Sequence, residues 1–522
     1  MKYPIGIQTF ENLREGGFVY VDKTALVHQL VDTGTIYFLC RPRRFGKSLL
    51  LSTLKAYFQG KKNLFKGLAL EKLETQWEEY PVFHIDFNSQ NFTQEGVLEK
   101  TLLDYISEWE DIYGREADDM TVGSRFRRLM SKAHEATGRR CVVLVDEYDK
   151  PLLDVLDTEM ESKNKETLKA FYSTFKAADE HLRFVMLTGV TKFSQITVFS
   201  GLNQPRDISM SPQYDTICGI SEEELHKYFD DEIAAFAREE GIPTEKLLSE
   251  MREKYDGYYF SRNMIGVYNP LSFLNALQER QLDDYWFRTG TPTYLIRLME
   301  HFKENINEMT ARQYPAEAFI DYRADVEKPL PMIYQSGYLT IKSYDKRRNR
   351  YRLDFPNNEV KSGFLTMIAN SYLKLRSSVT PWIDDMVDAL EDGDLEQLRK
   401  LLTSFLASIP YSMRRKEDEK ERERYFHYTF YLILRMISVY TVFTEKETSQ
   451  GRADCVIETP GYIYIFEFKL DGTATEAITQ INERGYAREY EADQRPLYKI
   501  GCGFSSTTGT VSDWAVEPEQ RQ

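Results

Sequence analysis

A loop ending in Gly-Lys-Ser carries the residue types that can bind phosphates. Residues 41–48 read Arg-Pro-Arg-Arg-Phe-Gly-Lys-Ser, between the apolar run 36–40 and a leucine-rich run. An apolar strand, a short loop and a helix are the context that a phosphate-binding loop requires. Backbone N–H groups at the helix N-terminus can hold phosphate oxygens, Lys47 can reach the terminal phosphates and Ser48 can ligate Mg²⁺. Arg41 stands where the general motif has glycine, and a chance Gly-Lys-Ser is the alternative interpretation.

A second apolar run ends in two carboxylates. Asp146 and Glu147 directly follow the run 141–145, and such a pair is costly at the end of a buried strand unless a cation meets it. We predict that Asp146 holds Mg²⁺ through water and that Glu147 activates an attacking water, although a solvated strand end is the plainer interpretation. Thr188, after the run 184–187, could sense a terminal phosphate. The predicted nucleotide-binding set is Arg43, Arg44, Phe45, Gly46, Lys47, Ser48, Asp146 and Thr188.

A third candidate site lies near the end of the chain, on two strand-like runs separated by Pro460-Gly461. If these two residues form a two-residue loop, Asp454 lies opposite Glu467, and opposed carboxylates repel unless a cation sits between them. Mg²⁺ or Mn²⁺ bound by Asp454 and Glu467 would supply that cation, and Lys469 would orient water or offset charge on a scissile phosphate. A longer loop would shift the register, and a salt-bridged strand face is the structural alternative.

The elements that must position these residues follow from the hydrophobic pattern. Over about 215 residues, short β-branched runs alternate with amphipathic helical patterns, which predicts a parallel α/β sheet. The predicted strands are residues 36–40, 82–87, 142–145 and 184–187. Residues 221–302 are mostly helical in pattern, beginning with a capping box between Ser221 and Glu224.

The remaining pattern predicts a hairpin, a helical region and a second mixed segment. Residues 338–342 and 351–355 read as two strands joined by the basic tip 345–350. As the wing of a winged-helix element this tip could contact DNA phosphates, and a solvated turn is the alternative. Residues 359–440 look helical, and the last 80 residues return to a β-hairpin followed by a helix.

Composition excludes several classes of protein. The 522 residues are 42% hydrophobic and 29% charged, which rules out a disordered or fibrous chain. The net charge of −15 excludes a uniformly basic nucleic-acid coat but not a local basic surface. The five cysteines are unclustered, and Cys40, Cys141 and Cys455 lie in apolar, strand-like runs, so we expect reduced core thiols and not disulfides or a zinc site. The sequence lacks a leader-like apolar region and a long apolar run, so we expect a cytoplasmic protein without membrane contact.

The motifs of the first 300 residues together resemble the bacterial AAA-ATPase-like family. The segments that carry this resemblance are residues 6–10, 20–24, 41–48, 146–151, 189–193 and 268–270. The form Arg-Pro-Arg-Arg-Phe-Gly-Lys-Ser is the family's own, so Arg41 departs from the general loop only. The resemblance implies an ATP-binding core with a helical or winged-helix lid, and an adenine position near residues 20–23.

The segment 420–502 resembles the PD-(D/E)XK nuclease superfamily, as the divergent domain found behind this type of ATPase. Residues 451–454 and 466–472 are its most specific part. The resemblance implies a metal-dependent nuclease fold in which Asp454, Glu467 and Lys469 form the site. It also implies that Gln480 is an auxiliary catalytic residue and that an acid on the preceding helix, for which Glu423 is one choice, completes the site.

We therefore predict an α/β protein with a P-loop ATPase core at 1–218, a helical or winged-helix lid at 219–355, a helical linker at 356–420 and a PD-(D/E)XK nuclease-like domain at 421–522. The predicted activity is ATP hydrolysis coupled to Mg²⁺- or Mn²⁺-dependent cleavage of nucleic acid, with DNA favoured. The alternatives are a nucleotide-dependent switch whose terminal domain binds without cutting, and an ATPase that acts on protein partners. A homo-oligomer is compatible with the sequence, and Arg206 is one of several arginines that could serve a neighbouring subunit.

Overall fold

The computed structural model describes residues 1–115, 121–156, 158–193, 205–289, 306–321, 329–373, 380–409, 441–448 and 451–519, with four single positions between 429 and 437. The chain forms two compact units, Met1–Val360 and Lys361–Gln522. Of the helices in these ranges, none combines the length and the apolar character that a membrane crossing needs. All five cysteines are free and buried, including Cys40, Cys141 and Cys455, for which burial was predicted.

The first unit is built on a five-stranded parallel sheet with the order β2-β3-β4-β1-β5. Its strands are β1 Ile36–Cys40, β2 Val82–Asp86, β3 Cys141–Asp146, β4 Leu182–Gly189 and β5 Arg206–Asp207. All six residues of β3 and all eight but one of β4 are buried. Such continuous apolar runs are expected where helices cover both faces of a parallel sheet. The four predicted strands are confirmed.

Eight helices of the described part precede or connect these strands. They are α1 Phe10–Glu15, α2 Thr24–Thr33, α3 Lys47–Phe58, α4 Ala69–Leu73, α5 Val97–Tyr113, α6 Val122–Thr137, α7 Lys150–Leu153 and α8 Met160–Ala177. Helix α3 follows β1 after a six-residue loop, so the predicted strand, loop and helix are confirmed. Because the strands are parallel, the ends of β1, β3 and β4 meet at one edge of the sheet, where the predicted nucleotide-binding residues lie.

The rest of the first unit is a helical and a winged segment. The helical segment contains α9 Glu222–Glu240, α10 Thr244–Tyr255 and α11 Pro270–Glu279, with the small antiparallel sheet β6 Ile220–Ser221, β8 Gly266–Tyr268 and β7 Tyr258–Tyr259. The predicted capping box at the start of α9 is confirmed, since the Ser221 side chain accepts from the Glu224 N–H and the Glu224 side chain accepts from the Ser221 N–H. This reciprocal capping fixes where the helix begins.

The winged segment has the element order helix, strand, helix, helix, strand, strand. Its elements are α12 Ile306–Ala311, β9 Gln313–Tyr314, α13 Glu317–Ile320, α14 Leu330–Gln335, β10 Thr340–Asp345 and β11 Arg350–Asp354. The antiparallel sheet has the order β10-β11-β9. The predicted hairpin is confirmed, with its first strand extended to Asp345, where the side chain caps the turn through the N–H groups of Arg347 and Arg348.

The second unit joins helices to a five-stranded mixed sheet. In the described ranges up to residue 409, the helices that precede the sheet are α15 Asn358–Leu373, which begins in the first unit, α16 Thr380–Glu391 and α17 Leu395–Ser408. The strands are β12 Thr441–Thr448, β13 Gly451–Glu458, β14 Ile463–Leu470, β15 Leu497–Phe504 and β16 Val511–Pro518, paired in this order with only β14 and β15 parallel. Helix α18 Ala474–Arg484 connects β14 to β15. The predicted four-part division of the chain stays a prediction.

Candidate functional site

The Gly-Lys-Ser loop connects a buried central strand to a three-turn helix. Strand β1 lies between β4 and β5, and helix α3 begins at Lys47 with Gly46 as its N-cap. Gly46 has φ 93°, a left-handed conformation that favours glycine, and a Cβ atom placed there would have no atom within 4 Å. The first N–H groups of a helix have no partner within the helix. This helix start is therefore an open position suited to an anion.

Arg41 is a buried side chain that supports the loop through hydrogen bonds to backbone carbonyl groups. Its side chain is 1% exposed, and Nη1 donates to the carbonyl oxygens of Cys40 at 3.0 Å and Ser209 at 2.7 Å. Nη2 donates to the Tyr214 carbonyl at 3.2 Å, and the guanidinium lies 3.9 Å from the centre of the Phe260 ring. This burial explains how arginine replaces the glycine of the general motif. Arg41 contributes support to the loop and does not present its charge at the loop's surface.

The middle of the loop divides between exposed cations and a buried ring. Arg43 and Arg44 are exposed, whereas Phe45 is 1% exposed and packs edge-on against Tyr258 with ring centres 4.7 Å apart. The Phe45 carbonyl also accepts the Gly219 N–H at 3.2 Å. Any contact of Phe45 with a phosphate would therefore use its backbone N–H.

Lys47 is a buried cation held chiefly by backbone carbonyl groups. Its side chain is 4% exposed, and Nζ donates to the carbonyl oxygens of Arg41 at 3.1 Å and Pro42 at 3.2 Å. Glu147 Oε1 lies 3.5 Å away. A buried charge is costly unless it is paired and hydrogen-bonded, and here one carboxylate at a long distance supplies the pairing. The position suits an incoming phosphate oxygen.

The ends of β3 and β4 meet beside this lysine. Asp146 is 2% exposed, and its Oδ1 accepts the Thr188 hydroxyl at 2.6 Å and the Glu147 N–H at 3.1 Å. Glu147 has φ 50°, a left-handed conformation that is uncommon for a residue with a Cβ atom. The structure thus brings together Lys47, Glu147, Asp146 and Thr188, as the sequence predicted for their elements. Whether each performs its predicted role stays a prediction.

Asp149 is a buried carboxylate to which the sequence analysis gave no role. It is 0% exposed, and its Oδ2 accepts the N–H groups of Val190 at 3.0 Å and Thr191 at 2.6 Å. Among the described residues its Oδ1 has no hydrogen-bond partner. Burial, and then the charge of Glu147, raises the pKa of Asp149 to about 7. The sequence signal that could have indicated Asp149 was a third acidic residue two positions after the pair at 146–147.

Beside the start of α3 lies a mainly apolar cavity of about 100 Å³. Its lining includes Tyr20, Val21, Leu49, Leu50, Ile217 and Leu274. Lys23 also lines it and forms an ion pair with Glu224 at 2.5 Å, and burial lowers the pKa of Lys23. An apolar cleft next to a phosphate-binding loop is a suitable place for a purine base. It coincides with the region 20–23 that the family resemblance indicated.

The metal site predicted in the second unit depends on strand register, and the register is confirmed. Cys455 pairs with Phe466 and Glu458 pairs with Ile463, while the Thr459 N–H donates to the Tyr462 carbonyl at 2.9 Å across a two-residue loop. Continuing this ladder by one pair sets Asp454 opposite Glu467. The Phe468 N–H donates to Asp454 Oδ2 at 2.8 Å, which fixes that carboxylate beside β14.

Glu467 is the centre of a small polar cluster. It is 1% exposed, and its Oε1 contacts Lys469 Nζ at 3.1 Å and accepts from Gln480 Nε2. Lys469 Nζ also donates to Gln480 Oε1 at 2.7 Å. Burial, followed by the charge of Asp454, raises the pKa of Glu467 to about 7. All four residues predicted for this site therefore lie within one cluster on β13, β14 and α18.

The donor set of this cluster fits a hard divalent cation. Glu467 Oε2 is buried and has no hydrogen-bond partner in the described part of the chain. Carboxylate oxygens are the ligands that Mg²⁺ and Mn²⁺ prefer. Within that same part no three His, Cys, Asp or Glu side chains converge, so Asp454 and Glu467 would be joined by water and substrate oxygens. Glu423, one choice for a further acid, lies outside the described residues.

Two local features bring α18 close enough for Gln480 to reach Glu467. Thr473 and Glu476 form a capping box that fixes the start of the helix. Gly501, which pairs with Glu467 across β14 and β15, lies under the helix, and a Cβ atom there would collide with the Ala474 carbonyl. Glycine at 501 therefore permits the close helix–sheet contact on which the cluster depends.

Arg206 is an exposed side chain on β5. Its Nη2 donates to Gln213 at 2.9 Å and its guanidinium lies 5.7 Å from the centre of the Tyr214 ring. These contacts hold it on its own subunit surface. A role toward a neighbouring subunit stays a prediction.

A phosphate-binding loop and an acidic strand end on a parallel sheet define the first unit as a P-loop nucleotide-binding fold, and the second unit has the sheet and carboxylate arrangement of a nuclease-type fold. Residues 4–199 match the family model described as predicted AAA-ATPase, and residues 421–514 match that of the PD-(D/E)XK nuclease superfamily. The chain belongs to the AAA-ATPase-like family and carries a PD-(D/E)XK nuclease superfamily domain behind the ATPase domain.

A relative of similar length aligns with almost the whole chain. It is a protein of Azotobacter chroococcum mcd 1, described as an uncharacterized protein in vnfD 5'region. It is 36% identical over 525 residues, which cover 99% of each chain. The similarity therefore extends over the whole of this sequence.

Proposed function

We propose that this chain is an ATP-binding and ATP-hydrolysing protein whose nucleotide site controls a metal-dependent nuclease acting on nucleic acid, with DNA favoured. The observation that carries the nuclease half is the buried Glu467 carboxylate, which lies opposite Asp454, has one oxygen without a described partner, and is within hydrogen-bond reach of Lys469 and Gln480. A buried carboxylate oxygen that lacks a partner and faces a second carboxylate favours a bound cation.

In the nucleotide half, each residue has a role that its position supports. The N–H groups from Gly46 to Ser48 would hold phosphate oxygens, and Lys47 would exchange its carbonyl contacts for terminal phosphate oxygens. The Ser48 hydroxyl and the Asp146 carboxylate would hold Mg²⁺, which offsets phosphate charge when bound. Glu147 would orient and deprotonate the attacking water, and Thr188 would position Asp146 through its hydroxyl.

In the nuclease half, Asp454 and Glu467 would hold Mg²⁺ or Mn²⁺, which polarises the scissile phosphate and lowers the pKa of bound water. Lys469 would orient that water or offset developing negative charge on the phosphate. Gln480 would keep Lys469 and Glu467 in place, since it contacts both side chains. Binding of a cation between the two carboxylates would also remove their mutual repulsion.

Contacts between the loop and the lid suggest how the nucleotide could act at a distance. The Trp286 indole N–H donates to the Arg43 carbonyl at 3.1 Å, and the Trp286 backbone N–H donates to Glu359 at 2.6 Å. Glu359 is in the first turn of α15, which continues across the unit boundary. A change in the loop on nucleotide binding would therefore reach the helix that leads into the nuclease unit.

The test is cleavage of labelled single- and double-stranded DNA by the full chain in Mg²⁺ or Mn²⁺, with and without ATP. Wild type is compared with Glu467→Ala and with Glu483→Ala, a control that removes an exposed glutamate from α18. We expect cleavage by wild type and the control and none by Glu467→Ala. Absence of cleavage by all three proteins, with DNA still bound, would instead favour the nucleotide-dependent switch, a candidate that the net charge of −15 modestly supports.

A further inference from the structure

In the described residues of the winged segment, exposed lysine and arginine side chains are concentrated at the tip of the hairpin. We propose that the chain contacts nucleic-acid phosphates through the β10–β11 tip and not through helix α14, which is the third helix of the segment. The inference rests on the proposed function in one respect, namely that nucleic acid is the partner. It assigns the nucleic acid a binding element in the first unit, formed by residues that do not belong to the nuclease site.

Helix α14 is unavailable for entry into a DNA groove because it is packed in the protein. Leu330, Pro331, Met332, Ile333 and Gln335 are all buried. The Thr191 hydroxyl contacts Met332 Sδ at 3.3 Å, and the Lys192 N–H donates to Gln335 Oε1 at 2.8 Å. These contacts tie the helix to the segment that follows β4. In helix-turn-helix folds a recognition helix enters the major groove. Because α14 is packed, we assign the contact to the exposed hairpin tip.

The hairpin tip concentrates positive charge on a chain that is acidic overall. Five of the seven residues 346–352 are lysine or arginine, against a net charge of −15 for the whole chain. The five cations, all exposed, are Lys346, Arg347, Arg348, Arg350 and Arg352. In the described ranges, the one ion pair that they form joins Arg348 to Asp345 at 4.0 Å, which is at the limit of an ion pair. Four of the five charges therefore lack a carboxylate partner there.

Hydrogen bonds within the turn fix the backbone of the tip. Asp345 Oδ1 accepts the N–H groups of Arg347 at 2.9 Å and Arg348 at 3.1 Å, and Asn349 adopts a left-handed φ of 52° at the turn. The Tyr344 hydroxyl donates to Asn349 Oδ1 at 3.0 Å. Arg350 and Arg352 then share one face of β11, because side chains on a strand alternate. Four exposed arginines close together on this backbone suit phosphates, which arginine recognises with paired donors.

The experiment measures binding of a labelled 30-base-pair duplex and of the single strand by fluorescence anisotropy, in EDTA so that cleavage is absent. Wild type is compared with Arg347→Ser/Arg348→Ser/Arg350→Ser. The matched control, Lys62→Ser/Lys66→Ser/Lys100→Ser, removes the same charge from three exposed lysines elsewhere in the unit. Equal ATP affinity of all three proteins shows that the variants are folded.

We expect the hairpin variant to bind DNA at least tenfold more weakly, and its slope of log affinity against log salt to fall by about two to three, since each lost phosphate contact removes roughly 0.9. The control should stay within twofold of wild type. Equal binding by the hairpin variant and wild type would overturn the inference alone. No DNA binding by wild type would overturn the nucleic-acid partner of the proposed function as well. If poly-glutamate bound wild type as tightly as DNA does, and bound the hairpin variant more weakly, the partner would be an acidic protein segment and not nucleic acid.

Discussion

Each of the two candidate sites contains a buried side chain of one charge without a full partner, and the two charges have opposite signs. In the first unit Lys47 is buried, with two carbonyl oxygens and one carboxylate at 3.5 Å as its partners. In the second unit Glu467 is buried, with Lys469 and Gln480 on one oxygen and no described partner on the other. A cation that lacks a full partner attracts an anion, and a carboxylate that lacks one attracts a cation. The first site is therefore suited to phosphate and the second to a metal ion.

The sites also differ in how the chain assembles them. The first draws on residues from 47 to 188, which meet only because parallel strands end at the same edge of a sheet. The second draws on residues from 454 to 480, which one hairpin and the next helix bring together. A site assembled over a long stretch is sensitive to the positions of several elements, whereas a local site depends on one register. A change at one site should therefore leave ligand binding at the other site intact.

The largest expected effect is that of Lys47→Ala on ATP hydrolysis. Without this cation at the helix start, we expect the hydrolysis rate to fall at least about 100-fold, the size of effect found when one charge-stabilising group is removed. Mn²⁺ affinity of the second unit should not change. The rate of phosphate release and a Mn²⁺ titration by calorimetry check both statements, with Lys62→Ala as the control at an exposed lysine. Loss of Mn²⁺ binding in Lys47→Ala would show that the sites are not separable.

A comparably large effect should come from Lys469→Met, and it should fall on catalysis only. We expect cleavage to fall about 100-fold because the group that orients water or offsets charge is gone. Mn²⁺ affinity should be equal or higher, since a positive charge beside the metal site has been removed. Cleavage rates and metal titrations of this variant and of Lys400→Met, an exposed control on α17, decide the matter. Weaker Mn²⁺ binding would mean that Lys469 supports the metal site itself.

Asp149→Ala should have an intermediate effect, confined to the first site. The substitution removes the acceptor of two buried N–H groups at residues 190–191, at a cost of roughly 1–3 kcal/mol for each group left unpaired. We expect kcat for ATP hydrolysis to fall about tenfold, because the end of β4 carries Thr188, with ATP affinity within twofold of wild type. Steady-state kinetics against Asp104→Ala, an exposed control, measure this. An unchanged kcat would limit Asp149 to a structural role.

The smallest expected effect is a pH-dependent change in stability at Glu359. Burial raises the pKa of this carboxyl from 4.5 to about 7, which corresponds to roughly 3 kcal/mol. Because the folded pKa is the higher one, the stabilising contribution is complete below pH 4.5 and is lost as the pH rises to about 7. Glu359→Gln removes this dependence. We expect the Tm of wild type, relative to the variant, to fall by a few degrees between pH 5 and pH 8.

The control for Glu359 is Glu253→Gln, which replaces an exposed glutamate on α10. Its Tm should follow that of wild type at every pH. A Tm difference between wild type and Glu359→Gln that stays constant from pH 5 to pH 8 would contradict a raised pKa.

Much of this fold is predictable from local patterns. Apolar runs bounded by turn signals indicated the four strands of the first sheet, and Ser221 with Glu224 indicated the start of α9. The opposition of Asp454 and Glu467 followed from the two-residue loop at 460–461, since loop length sets hairpin register. In each case the determining residues lie within a few positions of the feature.

Other features depend on residues that are distant in the chain. The burial of Arg41 depends on the carbonyl oxygens of Ser209 and Tyr214, which no local pattern connects to the loop. The role of Asp149 depends on backbone N–H groups at residues 190–191, and the burial of α14 depends on contacts with Thr191 and Lys192. Tertiary contacts determine these features, so the sequence alone does not indicate what these residues contact.

The control of the second site by the first is tested most directly by the rate of DNA cleavage in Mn²⁺ without nucleotide, with ADP and with ATP, for wild type and Lys47→Ala. We predict that the wild-type rate changes several-fold between these conditions, and that Lys47→Ala cleaves at one rate in all three. Equal rates for wild type in all three conditions, or the same nucleotide response in Lys47→Ala, would contradict it.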